Sequence, residues 1–279
     1  MQDLVQRIWS RDANWHIGDL AWQRTSNPEL AHTWRTALWE EDGAVMAWGW
    51  IELPDVLNLA VDPARPELAD AAIAWFEGMS EAERLCCMVL ETESHLVSAL
   101  ARAGYTADRD APYFTHHHMS LDALAAPVTP DGFILRHVRA DEAERRAAGH
   151  RAAWSDFGPS RKTTETFRAV MAAWPYRPDL DWVVEAPDGA FVATALGWLD
   201  EVNRVGLLEP VGCAPAYRRR GFARAVNLAT LRAMREAGAE SAIVNPRGDE
   251  GYPIPGKLYR SIGFQPSART ALYVRQRTQ

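Results

Sequence analysis

The 279-residue sequence predicts an α/β protein built from two related mixed-sheet halves in tandem. Three observations lead there. Short runs rich in β-branched and aromatic residues alternate with longer Ala-rich or amphipathic runs. The stretch Leu121–Asp131, with two prolines and no periodic pattern, divides the chain near its middle. The order of elements before that stretch returns after it. We place the first half at residues 1–122, a linker at 123–131 and the second half at 132–279.

In the second half, Phe133–Val138 is a strand candidate, and Asp141 with Glu144 three residues on is a capping-box pattern opening an Ala-rich helix to about Trp154. Trp182–Glu185 and Ala190–Leu199 form a hairpin about Pro187-Asp188-Gly189. After a turn at Asp200–Asn203 comes Val205–Cys213, then a helix from Ala223 to Ala237 closed by Gly238. Ser241–Val244 is a short strand. A Gly/Pro-rich loop spans Pro246–Gly256, a short helix carries Leu258 and Tyr259, and Ala271–Arg275 is a last strand.

The first half has the same order. Trp34–Leu38, Ala44–Leu53 and Leu57–Val61 read as strands, Leu68–Glu77 as a helix, Leu85–Leu90 as a strand and His95–Arg102 as a helix ending at Gly104. The registers agree. Leu59-Ala60-Val61-Asp62-Pro63-Ala64 lies opposite Val211-Gly212-Cys213-Ala214-Pro215-Ala216 at an offset of 152 (213 less 61), and Gly104-Tyr105 lies opposite Gly263-Phe264 at 159 (263 less 104). A longer loop around Gly248–Gly256 absorbs the difference.

Composition restricts the function. Apolar residues make up 47% and charged residues 24%, as in a globular chain with a sizeable core. The net charge of -7 argues against nucleic acid and fits a cationic small molecule better. Three cysteines, two of them adjacent, make neither a disulfide framework nor a zinc spacing. His116-His117-His118 would alternate across a strand, so no metal is expected there. Met1–Asp12 has no long apolar run, and a cytoplasmic protein that does not enter membranes is expected.

The most informative segment is Glu209–Ala223, EPVGCAPAYRRRGFA: a strand, a turn, three arginines, a glycine and the start of a helix. The first N–H groups of a helix have no partner within it and attract an anion. Gly221 lets a phosphate approach the backbone, Ala223 removes bulk, and the arginines add charge. Pro210 cannot donate to a ladder, so it predicts an interrupted strand.

This segment resembles the pyrophosphate loop of the GNAT superfamily of N-acetyltransferases, whose motif is Arg or Gln, two residues, Gly, one residue, then Gly or Ala. Here Arg218, Gly221 and Ala223 fill it, and Leu258-Tyr259 with Gly263-Phe264 is similar to a second family signature. The resemblance covers residues 132 to 277 well and the first half in outline. It implies two GNAT-like halves, the N-terminal one degenerate. It implies acetyl-CoA as cosubstrate, no metal, and contacts from Val211, Gly212, Cys213, Arg218, Arg219, Arg220, Gly221, Phe222, Ala223 and Asn245. Pro66 and Glu67 stand where the first half would need its loop, so that half is expected to bind no coenzyme and to shape the acceptor cleft instead.

An alkyl amine of pKa ~10.4 must lose a proton before it attacks a thioester, which costs on the order of 4 kcal/mol near neutrality. Glu209 is the candidate base or ammonium anchor; strict alternation would put it on one face with Val211 and Cys213, and a bulge would alter that. Tyr259 is the candidate acid, placed near the coenzyme sulfur by the resemblance. The first half has Leu57 and Leu100 at the matching positions. Trp154, Trp174, Tyr176 and Trp198 are candidates for a pocket wall, and Asp156, Glu185 and Asp200 for ammonium partners. The expected activity is transfer of an acetyl group to a primary amine of a small molecule in a ternary complex, by a monomer or homodimer. A non-catalytic acyl-CoA-binding module and a mycothiol-synthase-like acyltransferase stay open as alternatives.

Overall fold

A computed structural model describes residues 1–277. The first half holds helices α1 (Gln2–Ile8) and α2 (Ile17–Thr25), strands β1 (Trp34–Glu41), β2 (Ala44–Glu52) and β3 (Val56–Val61), helix α3 (Glu67–Met79), strand β4 (Arg84–Leu90), helix α4 (Ser94–Arg102), and strands β5 (Thr106–Asp108) and β6 (Thr115–Ser120). Residues 123–131 contain neither helix nor strand. The second half holds β7 (Ile134–His137), α5 (Ala143–Ala153), α6 (Thr164–Ala172), β8 (Asp181–Glu185), β9 (Phe191–Asp200), β10 (Val205–Cys213), α7 (Phe222–Glu236), β11 (Ser241–Val244), α8 (Ile254–Ile262) and β12 (Gln265–Gln276). No described helix is long and apolar enough to cross a membrane.

The strands form one twelve-stranded mixed sheet in the order β1-β2-β3-β4-β12-β6-β11-β10-β9-β8-β7, with β5 alongside β12. The repeat is visible in space. β3 ends at Val61 and β10 at Cys213, the two positions the offset equates. Gly104 and Gly263 close α4 and α8, both with positive φ (81° and 129°), a conformation in which glycine carries no Cβ penalty. The join between the halves is an exchange. β6 of the first half pairs with β11, and β12 of the second half crosses over to pair antiparallel with β4 through Thr270↔Leu90 to Gln276↔Arg84. The last strand is therefore longer than the Ala271–Arg275 expected, because two different neighbours hold its two ends.

β9 is buried along its whole length, covered on one face by α7 and on the other by α2, α5 and α6. Gly18 makes the approach of α2 possible: a Cβ there would lie 2.1 Å from Trp198 Cβ. His16 caps α2, its Nδ1 accepting from the Gly18 amide at 3.0 Å while Nε2 faces the Val205 carbonyl at 3.3 Å. Burial holds this imidazole down at about 4, so it is neutral and able to accept. The capping box expected at Asp141 and Glu144 does not form. Glu142 is instead gripped by Arg136 and Arg145 and accepts from the Arg139 amide at 2.9 Å, which moves the helix start to Ala143. A capping box occurs at Thr163 and Thr166, at the start of α6.

Candidate active site

β10 pairs in parallel with β11 only through Val205↔Ser241, Gly206↔Ala242 and Leu207↔Ile243; beyond these it runs on without that neighbour. Its register with β9 shifts between Leu208 and Val211, the interruption that Pro210 predicts. The Glu209 carbonyl, released from the ladder, accepts from the Trp198 indole at 2.6 Å. β10 and β11 thus part into a V, and the two sides of the opening carry different chemistry.

The first side is the start of α7. Arg218 is taken up by the protein: its guanidinium donates to Cys213 O at 3.1 Å, Ala153 O at 3.2 Å and Asp156 at 2.5 Å. It pins the loop to the end of α5. Arg219 has a left-handed backbone (φ 63°), as does Gly221 (φ 85°), which is the N-cap of α7 and offers no side-chain cap. The Tyr217 and Arg218 amides bond back to Ala214 and Pro215, and the Ala225 amide bonds to Gly221 O. Between them, the amides of residues 219–224 have no acceptor among the described residues. Six successive unpaired donors at a helix N-terminus suit an anion with several oxygens. Arg219 and Arg220 are exposed beside them, and the Arg220 guanidinium lies over Phe133, Tyr217 and Phe222 at 5.1 to 5.6 Å. Asn245, where β11 ends, keeps its Oδ1 buried without a partner. The matching helix of the first half is closed: Leu68 and Ala69 amides bond to Arg65 O and Pro66 O, and Arg65 engages the Glu67 carboxylate.

The second side is a cavity of about 360 Å³ lined by Trp22, His150, Trp154, Lys162, Glu209 and Pro210, with the 157–160 loop at its edge. Here the structure corrects the alternation argument. Val211 and Cys213 pack toward α7 with Phe222 and Val226, whereas Glu209 faces the cavity on the α2/α5 side. The bulge inserts a residue, and everything beyond it changes face. Gly212 then turns toward α5, where an added Cβ would meet Trp154 at 2.3 Å and Ala153 at 2.7 Å.

Glu209 is not alone. Asp19, on α2, lies within hydrogen-bonding reach of its carboxyl. Burial first, and the Asp19 charge next, push Glu209 well above the usual carboxylate range; burial pushes Asp19 up to about 6. Two adjacent carboxyls out of water share a proton rather than both ionise. Tyr259 is buried in α8, its ring edge-on to Phe264 at 5.8 Å. Burial, then the charges of Glu209 and Tyr252, raise its phenol, so it stays a proton donor. Burial also pushes the Cys213 thiol up to about 11, leaving it protonated and a poor nucleophile near neutrality.

Of the other aromatic candidates, Trp154 lines the cavity and stacks on His150 at 4.1 Å. Trp198 is fully buried; Trp174 is exposed; and the Tyr176 hydroxyl meets Asp181 at 3.4 Å. None of the three expected ammonium partners lines the cavity. Asp156 holds Arg218, Glu185 holds Arg136 and Arg145, and Asp200 accepts from Gln6 and Asn203. The residues that sequence reasoning missed are Asp19, Trp22, His150 and Lys162. The first two come from α2, almost two hundred positions before Glu209, and no local pattern links them.

The site thus combines a tandem mixed sheet, a parting of β10 from β11 and an open N-terminus at α7. Residues 147–252 match the Acetyltransferase (GNAT) family, so this stretch of the second half is similar to that family. The solved structures agree on the fold of the whole chain. A tandem GNAT protein from the clavulanic acid biosynthesis pathway superposes with a TM-score of 0.65 at 15% identity, covering 99% of this chain and 92% of that one. A GNAT-family acetyltransferase from Colwellia psychrerythraea gives 0.61 at 14%, with 99% and 95% covered. A GCN5-related N-acetyltransferase from Sphaerobacter thermophilus gives 0.60 at 21%, with 84% and 78% covered. No curated protein matches the chain in sequence.

Proposed function

We propose that this protein transfers an acetyl group from acetyl-CoA to a primary amine of a small molecule by direct attack in a ternary complex. The observation that carries the reading is the parting of β10 from β11, with an unpaired amide run on one side and the Asp19–Glu209 carboxyls on the other.

The residues divide the work. The amides of residues 219–224, with Arg219 and Arg220, hold the pyrophosphate, and the backbone of Val211 to Cys213 lies free of β11 to take the pantetheine arm. Acetyl-CoA supplies the activated acyl carbon. The amine enters from the cavity, and its ammonium docks on the carboxyl pair. One ammonium proton passes to that pair before the neutral amine forms the C–N bond; the C–S bond then breaks, Tyr259 gives the departing sulfur a proton, and the nitrogen's second surplus proton restores the Tyr259 phenol. A base whose pKa has been raised toward that of the amine makes the first transfer less uphill, and general-base catalysis contributes roughly 10² to 10⁴ in rate.

Titration calorimetry with acetyl-CoA, alongside thiol release over an amine panel, tests the reading. Gly221→Glu should abolish coenzyme binding by placing a carboxylate among the amides. Glu209→Gln should bind the coenzyme as the parent does and lose at least about 100-fold in kcat. Unchanged turnover in that variant removes Glu209 from the chemistry. Coenzyme binding without thiol release to any amine would instead favour the non-catalytic module.

A further inference from the structure

The geometry points to an acceptor that is a zwitterion: an amine that also carries a carboxylate, its ammonium on Asp19 and Glu209 and its carboxylate on Lys162. This deepens the proposed function and rests on it for the direction of the amine. The cavity has two poles of opposite charge. At the β10 bulge Glu209 lines the cavity, with Asp19 in hydrogen-bonding reach of its carboxyl. Lys162, in the segment leading into α6, lines the same space. Its ammonium donates to Ser26 O and Asn27 Oδ1, both at 2.5 Å, and lies 5.4 Å from the centre of the Trp22 ring. All these partners are uncharged. Neither hydrogen-bond partner of its ammonium is a carboxylate, and Glu29 attracts it only from farther off.

A partly buried ammonium held by neutral oxygens alone has lost hydration without gaining a counter-charge. The consequence is visible in its titration: burial first, and Arg161 next, draw Lys162 down to about 8. The other basic group in the wall is no substitute. His150 is held down to about 3 by burial and by Arg146, Lys162 and Arg151, so it is a neutral ring stacked on Trp154. Lys162 is therefore the cationic group that the wall offers to an entering ligand, and a carboxylate would restore its missing counter-charge. A plain alkylamine would fill the anionic pole and leave Lys162 as it is. A dicarboxylate would meet Asp19 and Glu209 with like charge. The chemistry that satisfies both poles has one positive and one negative end. The walls between them, Trp22 and Trp154, ask for an apolar spacer.

The test uses the full chain and matched pairs: ω-amino acids of two to six carbons against the alkylamines of the same length. Binding is measured by calorimetry with acetyl-CoA omitted and transfer by thiol release. At least one ω-amino acid should bind and react with ~10- to 100-fold advantage over its alkylamine. Lys162→Met should erase that advantage, so that the ω-amino acid and its alkylamine react alike, and Lys162→Arg should keep most of it. If every alkylamine matches its carboxylated partner, or if Lys162→Met weakens both members of a pair alike, the zwitterion is ruled out. Should Lys162→Met fail to fold, the preference of the parent protein and of Lys162→Arg decides the matter by the same criterion. Selective binding of an ω-amino acid without any transfer would count against the acyltransferase reading and not against this one.

Discussion

Asp19 is the residue that most changes the chemistry expected from sequence. Its carboxyl is one of the two forces, after burial, that hold a proton on Glu209. Asp19→Asn should therefore lower the Glu209 pKa, and the acid limb of the kcat profile should move to lower pH. If the limb stays where it is, the two carboxyls do not titrate as a pair. His16 has the opposite sign. Its folded pKa of about 4 lies below the 6.5 of a free imidazole, so the unfolded chain binds the extra proton between those values. The stability His16 contributes is full above about pH 6.5 and is lost as pH falls toward 4, on the order of 3 kcal/mol at a fully buried site. Urea unfolding of the parent and His16→Ala at pH 7 and pH 4.5 should show a smaller gap between them at the lower pH. A gap independent of pH would mean that the ring is not neutral in the fold. Glu209 was legible from its strand, and the arginine-glycine run from its motif. Asp19 was not, because only packing through Gly18 onto Trp198 brings α2 to β10.

The elements hold the site through a few close or charged contacts. Arg146 on α5 donates to both oxygens of Asp181 on β8, at 2.9 and 3.1 Å, with neither side chain exposed. Breaking it with Arg146→Ala strands a buried carboxylate and should cost ~3–5 kcal/mol in chemical unfolding, whereas adding Asp181→Leu to that variant should recover a substantial part. Gly212→Val would drive a side chain into Trp154 and Ala153. The expected cost is ~1–3 kcal/mol, and coenzyme binding should weaken with it because the same residue borders the V. A variant of parental stability would show that α5 yields without disturbing the strand. Most of these elements could be read from periodicity: β10 and β11 have the bounds that the pattern predicts, and α7 begins one residue early. The helix start at Asp141 failed because arginines from β7 and α5 claim Glu142. The face of Glu209 stayed open in the sequence because a bulge reverses alternation, and a proline announces the interruption without saying which way the neighbouring side chains turn.

At the scale of the molecule, the repeat was legible and the exchange of strands was not. An offset of matching segments tells which elements correspond, but pairing between β12 and β4 joins residues nearly two hundred positions apart and leaves no local mark. Fragments 1–131 and 132–279 should each be poorly soluble alone, since the first would leave β4 without β12 and the second would leave β11 without β6. Produced together they should associate and recover acetyl-CoA binding; two independently folded, monomeric fragments would contradict the exchange. The crossing also sets an order on synthesis. Domains ordinarily settle as they leave the ribosome, amino end first. Here the leading half cannot finish its sheet until residue 276 has emerged, so its hydrophobic face must wait, uncovered or chaperoned, for the far end of the same polypeptide.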